Sequence, residues 1–377
     1  KDCGADAVHP GYGFLAENAE FAQAVLDHGM VFIGPRPEWL ARMGDKVAAR
    51  RLMAQHGFPV FPGSERLETP EQAAEFAAEI GYPVIVKPSG GGGGMGMVVV
   101  QHAERLANAM AQASAIAGSA FADRGVYLER FLERPRHIEF QILGDGKGNA
   151  MHLFERECSI QRRNQKLLEE SPAPGLDPQQ LGAIADRAAS VCAELGYDNV
   201  GTLESLFSQA GEVGFLEMNT RIQVEHGVTE AVTGCDLVQT QIALASGGEL
   251  PPQPRRQGYA MEVRLYAEDA ASLLPSTGRL SVFRLPQMRG LRIETGYREG
   301  QMVTPHYDAM LAKLIAHGDT REKAIGRLLV GLKAFEVSGV KTNAALLMAI
   351  LQHEAFLKGQ VDTGLVGKIL ETEQTIQ

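Results

Sequence analysis

Five consecutive glycines, Gly90 to Gly94, stand between two apolar runs, Val84-Ile85-Val86-Lys87 and Met97 to Val100. A run without side chains has little to hold it in a helix or a sheet, so it joins two strands as a loop. Such a loop brings backbone N–H groups close to phosphate oxygens, because no Cβ blocks the approach. It opens no helix and no Lys-Ser/Thr pair follows it, so it is neither a Walker loop nor a dinucleotide fingerprint. It reads as a hairpin lid over a polyanion, with Lys87 on the incoming strand as phosphate partner. The plain alternative is a hairpin tip without a ligand.

The punctuation around this loop divides the chain. A length of 377 residues suggests two or three domains. Residues 1–42 read as the tail of an α/β unit: strand Ala5 to Val8, helix Phe21 to Leu26, strand Val31 to Ile33. The chain starts with Lys and its first periodic segment is already mid-fold, so a preceding segment is expected; no signal-peptide pattern is visible. A helix is expected over Val47–Gln55, and a second starts at Thr69-Pro70-Glu71 and ends at Gly81. Helix Ala103–Ala117 and strand Val126–Leu128 complete a small α+β unit. From His137 to about Gly247 strands alternate with one long helix, Asp177 to Gly196, and Thr202–Phe207 pairs with Gly214–Asn219 around Gly211. Pro251 to Arg256 is the best linker. Strands 260–266, 291–295 and 310–316 and a helix capped by Thr320 follow.

Composition narrows the function classes. A net charge of −10, from 36 basic and 46 acidic residues, argues against a nucleic-acid surface. No apolar run approaches a membrane span. Cys3, Cys158, Cys192 and Cys235 form no CxxC pair, which suggests a reducing compartment and neither a zinc site nor a disulfide framework.

Against this background the segment Phe215 to His226, FLEMNTRIQVEH, is unusual. Were it extended throughout, Glu217, Asn219, Arg221, Gln223 and Glu225 would share one face. Glu217 and Asn219, with Glu204 from the partner strand, offer oxygen ligands for Mg²⁺. Arg221 suits an oxyanion, and Glu225 is free to act as a base. A surface charge ladder is the competing reading. Arg156, Arg162, Arg163 and Lys166 cluster in ERECSIQRRNQK, where they could focus positive potential on a small anion. Tyr12 lies between two glycines in HPGYGF, either at a pocket or in the core. Glu262, Arg264 and Tyr266 alternate along a strand, as a functional row or an ordinary ion pair.

Together these segments resemble the biotin carboxylase family of ATP-grasp enzymes. HPGYGFLAEN at 9–18, KPSGGGGGMGM at 87–97, ERECSIQRRNQK at 155–166, EMNTRIQVEH at 217–226, EVRLYAED at 262–269 and GVKTN at 339–343 follow the family order over nearly the whole chain. The resemblance implies a mixed α/β and α+β multidomain fold: a partial N-terminal α/β (pre-ATP-grasp) domain over 1–42, an ATP-grasp domain over 43–247 with its lid at about 59–132, and a biotin carboxylase C-terminal domain over 257–365. It implies that Lys46, Lys87, the loop Gly92, Gly93 and Gly94, and Met97 hold ATP, with Glu129, Arg130 and Leu132 around the adenine and His137, Gln161 and Asn164 nearby. Glu204, Glu217 and Asn219 would bind Mg²⁺ or Mn²⁺. Lys166, Arg221, Gln223 and the Val224 backbone would hold bicarbonate, with Glu225 as its base. Arg264 would stabilise the biotin enolate and Tyr12 would line the biotin pocket.

The implied reaction is ATP-dependent carboxylation of biotin through carboxyphosphate. The chain has no AMKM-like tetrapeptide, so biotin is expected on a carrier domain or protein, with a carboxyltransferase as further partner; an acyl-CoA is the expected acceptor of the parent carboxylase, with pyruvate or another acceptor left open. A homodimer or larger complex, without nucleic acid or membrane, in the cytoplasm or an organelle matrix, is also implied. Three positions depart from the family pattern. Met95 replaces Arg or Lys, Asn164 replaces His, and Gly227 replaces Pro, which would loosen the backbone beside Glu225. The alternatives are another ATP-grasp carboxylate ligase and a degenerate nucleotide-binding paralogue without turnover.

Overall fold

The structure, a computed structural model, describes residues 2–90, 94–121, 123–269 and 273–376. Gly92 and Gly93 therefore lie outside the described residues. At the N-terminus two short parallel strands, β1 (Ala7–Val8) and β2 (Val31–Phe32), are bridged by helix Ala19–Asp27. Helices Pro37–Gly44 and Lys46–Gln55 follow, and Asp45 separates them. Its carboxylate accepts from the Val47 and Ala48 amides, so Lys46 opens the second helix. Trp39, Met43, Met53 and Phe58 from this region pack under the main sheet with Phe140, Leu203 and Phe215.

The unit around the glycine run has its own core. Strands β3 (Val84–Pro88), β4 (Val98–Val100) and β5 (Val126–Arg130) form an antiparallel sheet in the order β4-β3-β5. Helix Pro70–Ile80 starts with a capping box between Thr69 and Gln72 and has Pro at its first turn, as the sequence requires. The next helix begins at Leu106, after a 3₁₀ turn over Ala103–Arg105. Ala73, Ala77, Val84, Val86, Ala113 and Leu128 close the core.

The main body is one antiparallel sheet of eight strands. Its members are β6 (Arg136–Asp145), β7 (Ala150–Arg162), β8 (Gln165–Ser171), β9 (Asp198–Phe207), β10 (Val213–Asn219) and β11 (Tyr259–Tyr266), then, after short strands β12 (Gly278–Arg279) and β13 (Val282–Arg284), β14 (Leu291–Glu294) and, after β15 (Met302–Val303), β16 (Met310–Gly318). The order is β10-β9-β6-β7-β8-β11-β16-β14. The pairing β8–β11 carries the sheet across the Pro-rich break at 251–256. Helix Pro178–Leu195 covers β6 and β7, and helix Arg321–Ala334 covers β11 and β16. No helix among the described residues is long and apolar enough to cross a membrane.

Two local readings change. The segment FLEMNTRIQVEH is not extended throughout. β10 stops at Asn219, paired to Thr202, and the chain turns so that the Thr220 amide donates to Glu17 Oε1 at 3.1 Å. Glu225 then sits at the N-cap of helix His226–Thr233. The stretch from Asp177 to Gly247 also holds more than one helix, since Leu237–Ala245 follows.

Candidate active site

Sheet register gathers the site. Glu139 on β6 pairs with Glu204 on β9, and Glu204 pairs with Glu217 on β10. Cross-strand partners project from the same face, so these carboxyls form a row across three strands. Lys166, beside the tight turn of the β7–β8 hairpin, reaches over the row. Its ammonium contacts Glu139, lies 3.2 Å from Glu204 Oε1 and 2.7 Å from Glu225 Oε1. Arg264 on β11 donates to Glu225 Oε2 at 2.9 Å and also contacts Glu169. Glu225 is thus held by two cations although its backbone is no longer part of a strand.

The loop after β10 brings in the remaining row. Gln223 donates to Glu204 Oε1 at 2.8 Å, and Asn219 donates to the same oxygen at 2.9 Å. Arg221 donates to Asn219 Oδ1 at 2.6 Å and to Glu17 Oε2 at 2.9 Å. Five side chains expected on one extended face converge by a bend and a helix start instead. The Val224 carbonyl is held by Lys313 of β16.

Burial makes these charges consequential. Burial opposes ionisation of Glu225, but Lys166, Arg264 and Arg156 hold its carboxyl well below the usual carboxylate range. Burial likewise opposes Glu204, and Lys166 and His137 hold it low. Burial would discharge Lys166, yet Glu139, Glu204 and Glu225 keep its ammonium well above the ordinary value. His137 lies 2.9 Å from Glu204 Oε2, and that carboxylate raises the imidazole against the effect of burial. Gln161 approaches the other ring nitrogen of His137 at 3.4 Å.

The oxygens of Glu204, Glu217 and Asn219 suit a hard divalent cation. Here cationic side chains meet that charge: Lys46 Nζ lies 2.8 Å from Glu217 Oε2, and Lys166 and His137 flank Glu204. Donor chemistry and local charge both fit an ion that would exchange with these contacts.

Toward the lid, Lys87 pairs with Glu129, and Arg50 lies 3.6 Å from the same carboxylate. Arg130 points toward Glu212 at 3.8 Å, and Leu132 is half-buried. Gly94 opens the turn before β4, and its carbonyl accepts from the half-buried Met97 amide at 3.5 Å. Met95 beside it is 55% exposed. Asn164 is the second of two residues with positive φ, after Arg163, in a two-residue hairpin turn. Such a turn favours Asn, which gives this departure a local cause. Tyr12 is exposed and lines a cavity of about 290 Å³ with Glu294, Thr295 and Lys313.

The basic cluster of ERECSIQRRNQK does not act as one patch. Arg156 is fully buried and bonded to Glu139, Gln141, Thr229 and Gln223. Arg162 forms a bidentate pair with Glu268; of the four, Arg156 meets the carboxylate row at Glu139 alone, while Lys166 reaches both Glu139 and Glu204. Gly227 is enclosed: a Cβ there would meet Arg292 Nη2 and Ile315 Cδ1, each at 2.5 Å. Sequence reasoning missed Glu139, Glu17, Glu169 and Lys313. Only Glu139 had a signal, the alternation His137, Glu139, Gln141 along a β-rich run.

The chain is similar to known proteins over nearly its whole length. Residues 1–40 match the family model "Biotin carboxylase, N-terminal domain", 45–253 match "Carbamoyl-phosphate synthase L chain, ATP binding domain", and 262–368 match "Biotin carboxylase C-terminal domain". The biotin carboxylase of Halalkalibacterium halodurans is 46% identical over 99% of this chain and 83% of its own length. The biotin carboxylase of Haemophilus influenzae is 48% identical over 94% of this chain and 80% of its own length. Among solved structures, the biotin carboxylase domain dimer of Hydrogenobacter thermophilus 2-oxoglutarate carboxylase, in complex with MgADP, ADP and bicarbonate, superposes with a TM-score of 0.95. It is 41% identical, over 98% of this chain and 83% of that one. The biotin carboxylase of Campylobacter jejuni in a β,γ-ATP complex gives a TM-score of 0.95 at 40% identity, over 97% of this chain and 83% of that one.

Proposed function

The chain belongs to the biotin carboxylase family, and from that premise we propose that it carboxylates biotin with bicarbonate at the expense of ATP, through carboxyphosphate. The observation that carries the reading is Glu225, a buried, ionised carboxylate between Lys166 and Arg264. Lys46 and Lys87, with Gly92 to Gly94 and Met97, bind the ATP phosphates. Glu129, Arg130 and Leu132 surround the adenine, and His137, Gln161 and Asn164 complete the nucleotide side. Glu204, Glu217 and Asn219 hold Mg²⁺ or Mn²⁺, which when bound offsets charge on the transferring phosphoryl group.

Bicarbonate is an anion and enters where cations are available. Lys166 and Arg221 bind it, with Gln223 and the Val224 backbone fixing its orientation. Its arrival draws Lys166 away from Glu225, and the carboxylate recovers proton affinity as it loses that partner. Glu225 then removes the bicarbonate proton and the freed oxygen attacks the γ-phosphate. ADP leaves as that bond forms; the C–O bond of carboxyphosphate then breaks to give CO₂ and phosphate, the biotin N–H proton passes to that phosphate, and the ureido nitrogen forms its bond to CO₂. Arg264 faces the developing charge on the ureido oxygen, and Tyr12 walls the biotin side.

The segments 1–42, 43–247 and 257–365 are assigned as N-terminal, ATP-grasp and C-terminal domains on the same grounds. Relatives that are parts of larger carboxylases support a biotin carrier and a carboxyltransferase as partners. The human mitochondrial pyruvate carboxylase, for example, aligns over only 32% of its length. The dimer reported for the Hydrogenobacter domain supports self-association. A cytoplasmic or organelle-matrix location follows from the same kinship. The test is ADP release with MgATP, bicarbonate and free biotin. Release that requires both bicarbonate and biotin establishes the reaction; nucleotide binding without it favours a paralogue that has lost turnover.

A further inference from the structure

Behind Arg264 lies a pair of carboxyls that the mechanism above does not use. Glu169 of β8 and Glu262 of β11 are direct cross-strand partners, and both are fully buried. Partners in such a pair stand about 5 Å apart at Cβ on the same face. Neither carboxyl receives a hydrogen bond of good geometry among the described residues. Glu169 touches the Arg264 guanidinium, and Lys313 Nζ lies 3.5 Å from Glu262 Oε2.

Both cations are already shared. The same Arg264 nitrogen serves Glu225, and Lys313 also serves Glu294, at 3.0 Å, and the Val224 carbonyl. The other basic groups around the pair are taken up elsewhere. Lys166 is committed to Glu139, Glu204 and Glu225. Arg292, beyond Gly227, pairs with Glu230 and Glu294, and burial and Lys313 push His226 down to about 4, so it is neutral. Glu169 and Glu262 thus depend on two cations that each serve another carboxylate as well, Arg264 with Glu225 and Lys313 with Glu294. A desolvated, uncompensated carboxylate is costly, and a proton is the simplest remedy.

We infer that Glu169 and Glu262 hold one proton between them, and that this half-neutral pair is a positioning element for Arg264. With one proton in place, Arg264 divides its charge between Glu169 and Glu225 and stays at the biotin side. With none, two adjacent carboxylates draw the guanidinium back into the sheet. The direction agrees with burial, which together with the Glu169 charge pushes Glu262 up to about 8 and together with the Glu225 charge pushes Glu169 up to about 7. The assignment to Arg264 rests on its role in the proposed reaction; the proton itself does not.

The experiment uses the full protein with Glu262→Gln, which mimics the protonated acid, and Glu169→Gln as a second variant. Infrared difference spectra are recorded on titration from about pH 6 to about pH 10. Wild type is expected to lose a carboxylic-acid C=O band on the alkaline side, and the band is expected to be absent from E262Q and E169Q. In steady state, wild type is expected to lose kcat/KM for biotin as that band disappears, with the KM for ATP unchanged. E262Q is expected to keep neutral-pH turnover within about threefold and to hold it to higher pH. Absence of the band in wild type, or its persistence in both variants, overturns the shared proton. An alkaline limb unchanged in E262Q overturns the positioning role. If the protein lacks biotin-dependent turnover yet shows the band, the proton pair stands and the proposed reaction falls.

Discussion

At the scale of single residues, the proposed reaction requires Glu225 to be a poor base until bicarbonate arrives. Its neighbours hold the carboxyl well below the ordinary range, so it is ionised throughout neutral pH but has little appetite for a proton. In that proposal, bicarbonate changes the neighbours of Glu225 and not the residue itself. Glu225→Gln keeps the shape and removes the base. We expect bicarbonate-dependent ADP release to fall on the order of 10³-fold, within the usual range for a general base. MgATP affinity measured by calorimetry should change less than about threefold. Near-normal turnover in this variant would refute Glu225 as the base. Met95 is a second residue-scale test. It stands exposed on the turn after Gly94, where the family carries a cation. Met95→Arg should tighten ATP binding by roughly tenfold, the value of about one charge-assisted contact; unchanged affinity in a titration would mean that position 95 does not face phosphate.

At the scale of elements, the tip of the β7–β8 hairpin meets the turn that begins at Gly94. Gly94 has φ +73°, and a Cβ on it would sit 2.2 Å from Asn164 Nδ2. The lid therefore rests on the hairpin tip through a residue that cannot carry a side chain. Gly94→Ala should raise the apparent ATP Kd by about tenfold through strain and the clash. Adding Asn164→Gly should recover part of that loss, because Gly also tolerates the positive φ of the turn. Additive losses in the double variant would show that the two elements are not coupled. This contact also marks the boundary of what the sequence discloses. Helix Pro70–Ile80 was legible from Thr69-Pro70 because capping is local chemistry. Strands β3 and β4 were legible because a glycine run between β-branched residues has few other solutions. The row from Glu217 to Glu225 was legible as a set and misread as a shape, since periodicity cannot see the bend that Glu17 stabilises at Thr220. Glu169 and Lys313 were invisible because only register across distant strands brings them to the site, and Glu17 because it arrives at the end of a 3₁₀ turn, Phe14–Glu17, far away in the chain.

At the scale of the whole molecule, the buried carboxyls divide into two groups with opposite effects on stability. Glu225 and Glu204 are held below their ordinary value, so their contribution is present above about pH 4.5 and is lost as pH falls. Glu262 and Glu169 are pushed up to about 8 and about 7, so the folded state binds more protons than the unfolded chain above about pH 4.5. Their contribution is complete below that value and is lost as pH rises toward 8, at up to roughly 1.4 kcal/mol per unit for the proton that the pair shares. The two buried histidines offset each other on the acid side. His137, held up by Glu204 against burial, favours low pH, and His226, pushed down to about 4, disfavours it. Lys166 and Lys313 are raised above an already alkaline value and do not enter this window. Stability should therefore peak on the acid side of neutrality and decline between about pH 6 and pH 8. Denaturant unfolding at a series of pH values reads this directly. Glu262→Gln should flatten the decline while leaving the acid side unchanged, because the amide has no proton to lose. A midpoint that is level or rising from pH 6 to 8 in wild type would mean that the like charges of β8 and β11 are compensated in the folded protein by more than Arg264 and Lys313.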